Sequence, residues 1–244
     1  MSIPLPPTIG IVAAGAMGSA IAHKLIQTGS CTILTNLDGR SDATRKRAHE
    51  AGMEDVSLVD MTRRAEWVLS ILPPRDAFAF AGRLLDAERL NDGARDRGPL
   101  VFVDCNAVNP QTVKRIAGLF VGSPRVKFID AGIIGGPPKA GYDPTFYASV
   151  DVGDTGILDE FVRLSEYGLK IKPLTGEGAG IGDASALKMS YAVGHLCVGL
   201  YCFNGMRLGY DKGHDGIIHS HDPRYVFILF AMIKNLNLGA LIDR

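Results

Sequence analysis

The chain has 244 residues, 46% of them hydrophobic and 21% charged, and its 26 basic side chains equal its 26 acidic ones. This is enough apolar material for one large packed domain or two small ones, and the balanced charge gives no electrostatic footprint for nucleic acid or an anionic membrane. The N-terminus, MSIPLPPT, lacks the basic and apolar regions of a signal peptide, and the most apolar late run, Tyr225–Ile233, is too short to span a bilayer. A cytoplasmic protein with no membrane contact is therefore expected. Cys31, Cys105, Cys197 and Cys202 form no C-x-x-C pair and read as reduced thiols.

Apolar, β-branched runs alternate with helical patterns along the first half. Ile9–Ala13 reads as a strand and Ala16–Gln27 as a helix ended by Gly29. Cys31–Thr35 is a second strand, and Ser41–Gly52 a polar helix with its cap at Ser41 or Asp42. Trp67–Leu72 is a strand stopped by Pro73 and Pro74, and a helix follows over Asp76–Arg89. Leu100–Asp104 is a strand, Pro110–Leu119 a helix with proline in its first turn, and Val126–Asp130 a strand. Such alternation means parallel strands joined by right-handed crossovers.

Further on, Phe146–Val150 and Leu169–Leu174 read as strands around a helix over Ile157–Tyr167. Gly176–Gly182 is a glycine-rich hinge, and Asp183 is expected to cap a helix running to about Met206. Gly209–Gly216 and His219–Pro223 read as loops, and Tyr225–Leu236 as an apolar helical fragment that needs a covering surface. His214, Asp215, His219, His221 and Asp222 match no compact ligand spacing, so no metal site is expected. The predicted fold class is α/β. A Rossmann-type, doubly wound, mostly parallel sheet occupies residues 1–176, and a long helix with an incomplete helical region occupies residues 177–244.

The junction of the first strand and helix reads Ile9-Gly-Ile-Val-Ala-Ala-Gly-Ala-Met-Gly18. Set against G-x-G-x-x-G, the glycine positions are Ala13, Gly15 and Gly18. Gly15 would let the backbone approach a pyrophosphate, and Gly18 would let helix pack on strand. Ala13 replaces the glycine of the tight turn, which alanine can do if its φ is negative. The helix start at Ala16 and Met17 would present free N–H groups to phosphate, so Ala13 through Gly18, with Ala14, form the candidate dinucleotide loop. Cofactor choice rests on Thr35-Asn-Leu-Asp-Gly-Arg-Ser41. Asn36 is neutral where an NAD enzyme often carries an acid, and Arg40 with Ser41 can clamp a 2′-phosphate. The expected cofactor is NADP, with NAD the alternative that Asp38 would serve.

Four further segments carry a resemblance. They are Ser70-Ile-Leu-Pro-Pro74, Asp104-Cys-Asn-Ala-Val-Asn-Pro110, Asp130-Ala-Gly-Ile-Ile-Gly-Gly-Pro137, and Gly180-Ile-Gly-Asp-Ala-Ser-Ala-Leu-Lys-Met-Ser-Tyr191. With the Gly15–Gly18 start, they resemble in order the signatures of the β-hydroxyacid dehydrogenase superfamily, which includes 3-hydroxyisobutyrate and 6-phosphogluconate dehydrogenases. The wording around Lys188 is similar to the phosphogluconate dehydrogenase-like subgroup. The resemblance implies that Leu72, Pro73 and Asn106 border the nicotinamide side. It implies that Ile134, Gly135, Gly136 and Tyr191 line the substrate pocket and that Lys188 is the catalytic residue. Two departures stand out. The substrate-motif serine is Ile134 here, and the asparagine three residues after the lysine is Tyr191.

A lysine of lowered pKa can take the hydroxyl proton as a hydride leaves, or return it to a carbonyl oxygen. The implied function is thus NADP-dependent interconversion of a small hydroxy acid, or sugar acid, with its oxo form. Imine or ketone reduction is a second enzymatic reading, supported by the apolar Ile134. A cofactor-binding protein without turnover is the reading from another class, because the superfamily's helical domain is longer than the residues after Lys188. The expected partner is a small-molecule substrate, and a homodimer through the C-terminal helices would cover Tyr225–Leu236.

Overall fold

The computed structural model describes residues 6–91 and 98–192. Two compact units divide the chain, residues 1–185 and residues 186–244, and of the second only 186–192 are described. The expected features beyond residue 192 lie outside the described residues. They include the helix towards Met206, both histidine-bearing loops, Tyr225–Leu236, Cys197 and Cys202.

The first unit is built on an eight-stranded sheet. Its strands are β1 (Thr8–Ile11), β2 (Thr32–Thr35), β3 (Glu54–Asp55), β4 (Trp67–Ser70), β5 (Leu100–Asp104), β6 (Val126–Ile134), β7 (Thr145–Ser149) and β8 (Lys170–Pro173). The spatial order is β3-β2-β1-β4-β5-β6-β7-β8. The six strands from β3 to β6 are parallel and in the Rossmann order, so the order in which strands are added reverses between β1 and β4. Beyond them the parallel pattern breaks, since β7 runs antiparallel to β6 and parallel to β8.

The helices are α1 (Ala16–Gly29), α2 (Asp42–Glu50), α3 (Leu58–Arg64), α4 (Pro74–Arg89), α5 (Pro110–Gly118) and α6 (Thr155–Arg163). Residues 183–192 form α7. The central strands are apolar on both faces, as a sheet covered on both sides requires. Ile9, Ile11, Leu69 and Val103 pack with Ile21 and Leu25 of α1 and Phe161 of α6. Val68 and Phe102 point the other way, onto Met61 of α3, Leu84 of α4 and Ile116 of α5.

Several elements differ from the sequence expectation. β3 and α3 were not expected, because β3 has only two exposed residues and α3 only seven. α3 is nonetheless capped, with the Ser57 hydroxyl accepting the Asp60 N–H at 3.0 Å. β6 runs on to Ile134 where a stop at Asp130 was expected, because pairing with β7 sustains it through the Gly132↔Tyr147 and Ile134↔Thr145 positions. The expected helix over Ile157–Tyr167 begins at Thr155 and tightens into a 3₁₀ turn over Leu164–Tyr167. Among the described residues no helix is long and apolar enough to cross a membrane, and no cluster of metal-ligating side chains occurs.

Candidate functional site

The switch between β1 and β4 brings the first strand–helix turn to the carboxyl edge of the sheet. Gly15 is the N-cap of α1, no side chain caps that helix, and its first turn has no acidic residue. The amide end of α1 is therefore open to an anion. A Cβ added to Gly15 would meet nothing within 4 Å, so the missing side chain leaves free space over the loop. A Cβ on Gly18 would collide with the Ala13 carbonyl oxygen and touch Ile11, so this glycine serves the close packing of helix on strand. Among non-glycine described residues only Ser30 has positive φ, so Ala13 occupies its turn without left-handed strain.

The β2–α2 connection stands beside this loop. The Asn36 amide donates to Asp38 Oδ2 at 2.9 Å and to the Val56 carbonyl at 2.9 Å. Asp38, the residue that would favour NAD, is thus tied back to its own turn. Arg40 and Ser41 lead into α2, where Ser41 is the N-cap residue without a side-chain cap bond. Its hydroxyl instead lies 3.2 Å from Thr44 Oγ1. Arg47, which the sequence reading missed, reaches back from α2. Its Nε–H donates to the Ala14 carbonyl at 2.9 Å and its Nη2 to Thr44 Oγ1 at 3.0 Å. The spacing of Ser41, Thr44 and Arg47 by threes, one face of a helix, is the signal that could have found it.

On the other side of β1, the ends of β4 and β5 are stapled together by Asn106. Its amide donates to Ser70 Oγ at 2.9 Å and Asp104 Oδ1 at 2.7 Å, and its Oδ1 accepts the Leu72 N–H at 2.6 Å. Asn106 is buried and its amide is committed to these three groups, so it sets the shape of the Leu72–Pro73 turn.

Below this turn lies an acidic pair absent from the sequence reading. Asp104 on β5 is the register partner of Asp130 on β6, and both are buried. Asp130 accepts the Gly182 N–H at 2.9 Å, the Ser185 N–H at 3.1 Å, the Ser185 hydroxyl at 2.7 Å and the Ser149 hydroxyl at 3.3 Å. It thereby fixes the start of α7 on the sheet. The expected cap acts differently, for the Asp183 carboxylate accepts the Gly180 N–H at 3.1 Å from inside the first turn. Burial raises both carboxyls, Asp104 to about 7, with the Asp130 charge adding to the rise at Asp104. The buried Cys105 thiol is pushed up for the same reasons.

Ile134 ends β6, and Gly135 follows with φ +123. A Cβ at Gly135 would overlap the Tyr142 hydroxyl, which accepts the Gly136 N–H at 3.2 Å. Tyr142 is held there by paired backbone bonds with Lys139. It places a phenol hydroxyl at the Gly135–Gly136 turn, and no sequence motif pointed to it. Lys188 and Tyr191 lie three residues apart on α7, both half-buried, and burial lowers the Lys188 ammonium from its ordinary range.

Residues 8–93 match the family described as NADP oxidoreductase coenzyme F420-dependent. No curated protein matches the sequence significantly. Solved structures do match. A conserved protein of unknown function, described as structurally similar to 3-hydroxyacid dehydrogenases, is 24% identical with a TM-score of 0.62, over 95% of this chain and 98% of that one. A reductive aminase from Aspergillus terreus, in complex with NADPH and ethyl-5-oxohexanoate, is 15% identical with a TM-score of 0.62, over 98% of this chain and 76% of that one. The 3-hydroxyisobutyrate dehydrogenase of Mycobacterium tuberculosis with L-serine is 18% identical with a TM-score of 0.58, over 83% and 67%. The chain thus has the Rossmann-type α/β fold of the 3-hydroxyacid dehydrogenases and imine reductases, and residues 8–93 carry the sequence pattern of an NADP oxidoreductase module.

Proposed function

We propose that this protein is an NADP-dependent oxidoreductase that interconverts a small hydroxy acid, or a related sugar acid, with its oxo form. The observation that carries the reading is the open space over Gly15 at the uncapped amide end of α1, beside the β1–β4 switch. That combination fits a dinucleotide pyrophosphate. Ala13 through Gly18 hold the pyrophosphate, Asn36, Arg40 and Ser41 the adenosine end, and the Leu72–Pro73 turn, set by Asn106, borders the nicotinamide. A bound nicotinamide supplies or accepts the hydride. Lys188 takes the proton of the substrate hydroxyl, or donates it to the carbonyl oxygen in reduction, and its burial favours the neutral amine that can act as a base. Gly135 and Gly136 shape the substrate turn with Ile134, Tyr191 offers a second hydroxyl three residues from Lys188, and the Tyr142 phenol offers a donor for an oxo or carboxylate oxygen in place of the absent serine.

The test is cofactor binding. NADPH is expected to bind more tightly than NADH, and Arg40→Ala to weaken NADPH by an order of magnitude or so while sparing NADH. Tighter NADH binding by the parent protein, or equal losses for both cofactors, overturns the assignment. A second reading, imine or ketone reduction, draws on the apolar Ile134 at the substrate turn and on the likeness to an imine reductase solved with NADP+. Turnover of a cyclic imine with none of any oxo acid would select it.

A further inference from the structure

We infer that Arg47 is the second cationic arm of the 2′-phosphate site and determines, with Arg40, the preference for NADP(H) over NAD(H). The inference rests on the cofactor reading above and extends it to a residue outside the β2–α2 loop. Arg47 lies in the second turn of α2 and is exposed, yet its side chain crosses to the dinucleotide loop and is fastened at both edges. Nε–H is held by the Ala14 carbonyl at 2.9 Å and Nη2 by Thr44 Oγ1 at 3.0 Å. A guanidinium carries five N–H donors in a planar fork. Two are used here, so both donors on Nη1 and the second on Nη2 are left for a ligand.

The charge balance supports the same reading. No ion pair joins Arg40 or Arg47 to a carboxylate among the described residues, whereas the neighbouring Arg45 faces Asp55 at 3.7 Å. Of the nearby acids, Asp38 accepts from the Asn36 amide, Asp55 accepts the Leu37 N–H and faces Arg45, and Asp42 stands exposed in the first turn of α2. Two arginines without carboxylate partners therefore flank the Ser41 N-cap. The contacts run from Ser41 Oγ to Thr44 Oγ1, to the Arg47 guanidinium, to the Ala14 carbonyl. This chain links the amide end of α2 to the pyrophosphate loop. A ribose 2′-phosphate lying between these two elements would meet a fork already held in place, with little side-chain entropy left to lose.

The experiment is calorimetric titration of the full chain with NADPH and with NADH, for the parent, Arg47→Gln, Arg47→Lys and Thr44→Val. Arg47→Gln is expected to weaken NADPH roughly tenfold or more and NADH by less than about twofold, so that the preference collapses. Arg47→Lys keeps the charge without the fork and should fall between parent and Arg47→Gln. Thr44→Val, which frees one edge of the guanidinium, should move NADPH in the same direction by less. Equal losses for both cofactors would make Arg47 a brace of the loop and overturn the inference. So would unchanged NADPH affinity in Arg47→Gln. A response to Arg40→Ala with none to Arg47→Gln rejects this inference alone, whereas a parent chain that binds neither cofactor rejects the proposed function and the inference together.

Discussion

Asp104 and Asp130 lie side by side on β5 and β6, buried, and two adjacent carboxylates there would repel strongly in a medium poor in water. Their hydrogen bonds separate their roles. Asp130 accepts from four donors and is suited to remain the anion. Asp104 accepts only through Oδ1, from Asn106, while its buried Oδ2 has no partner among the described residues and is the natural place for a proton. Burial raises Asp104 to about 7. The unfolded value is about 3.9, so between the two the native state holds a proton that the unfolded chain has lost. Native stability from this group is then fully present below the unfolded pKa and falls as pH rises towards 7. The melting temperature of the parent should decline through that window, and Asp104→Asn, permanently neutral, should flatten the decline. An identical slope in the variant would mean that the proton resides elsewhere.

At the scale of elements, the turn between β1 and α1 makes two glycines separable. Gly15→Val should leave cooperative unfolding intact, since the added side chain enters free space, yet abolish binding of both cofactors by filling the pyrophosphate position. Gly18→Val should instead lower stability by several kcal/mol, because its Cβ meets a backbone carbonyl that cannot move without parting helix from strand. Calorimetry and thermal melts distinguish the two, and unchanged cofactor affinity in Gly15→Val would remove the phosphate-loop assignment. These glycines were legible in the sequence because a strand, a turn and a helix each leave a local periodic signal. β1, β2, β4 and β5 were legible for the same reason, whereas the two-residue β3 was not. α3 was not, since a seven-residue helix shows hardly two turns of pattern. The four extra residues of β6 depend on β7, a partner eleven or more positions away that no local pattern reveals. The Asp104–Asp130 pair and the Arg47–Ala14 contact were hidden likewise, for one is created by strand register and the other joins residues 33 positions apart, while Tyr142 sits in a local turn that carries no periodic pattern.

For the molecule as a whole, the question is whether cofactor capture and proton transfer are separable properties of one chain. A ligand that binds only the native state adds RT ln(1 + [L]/Kd) to stability, about 2.7 kcal/mol at a hundredfold excess over Kd. NADPH should therefore raise the melting temperature of the unit that carries the dinucleotide loop. Lys188 lies on α7, beyond the residues that bind the cofactor in this reading, so Lys188→Met should show the same NADPH-dependent rise. Turnover should respond differently. In the oxidative direction the neutral amine is the active form, so the rate should climb with pH along a limb governed by Lys188. Because burial lowers that ammonium, the midpoint should fall below the ordinary lysine value of about 10.4. Lys188→Met should abolish the limb and most of the rate together. A variant that keeps full activity would move the proton to another group, with Tyr191 the first to replace by phenylalanine. A variant that loses the NADPH-dependent rise as well would show that Lys188 holds the cofactor, and that its loss of turnover says nothing about proton transfer.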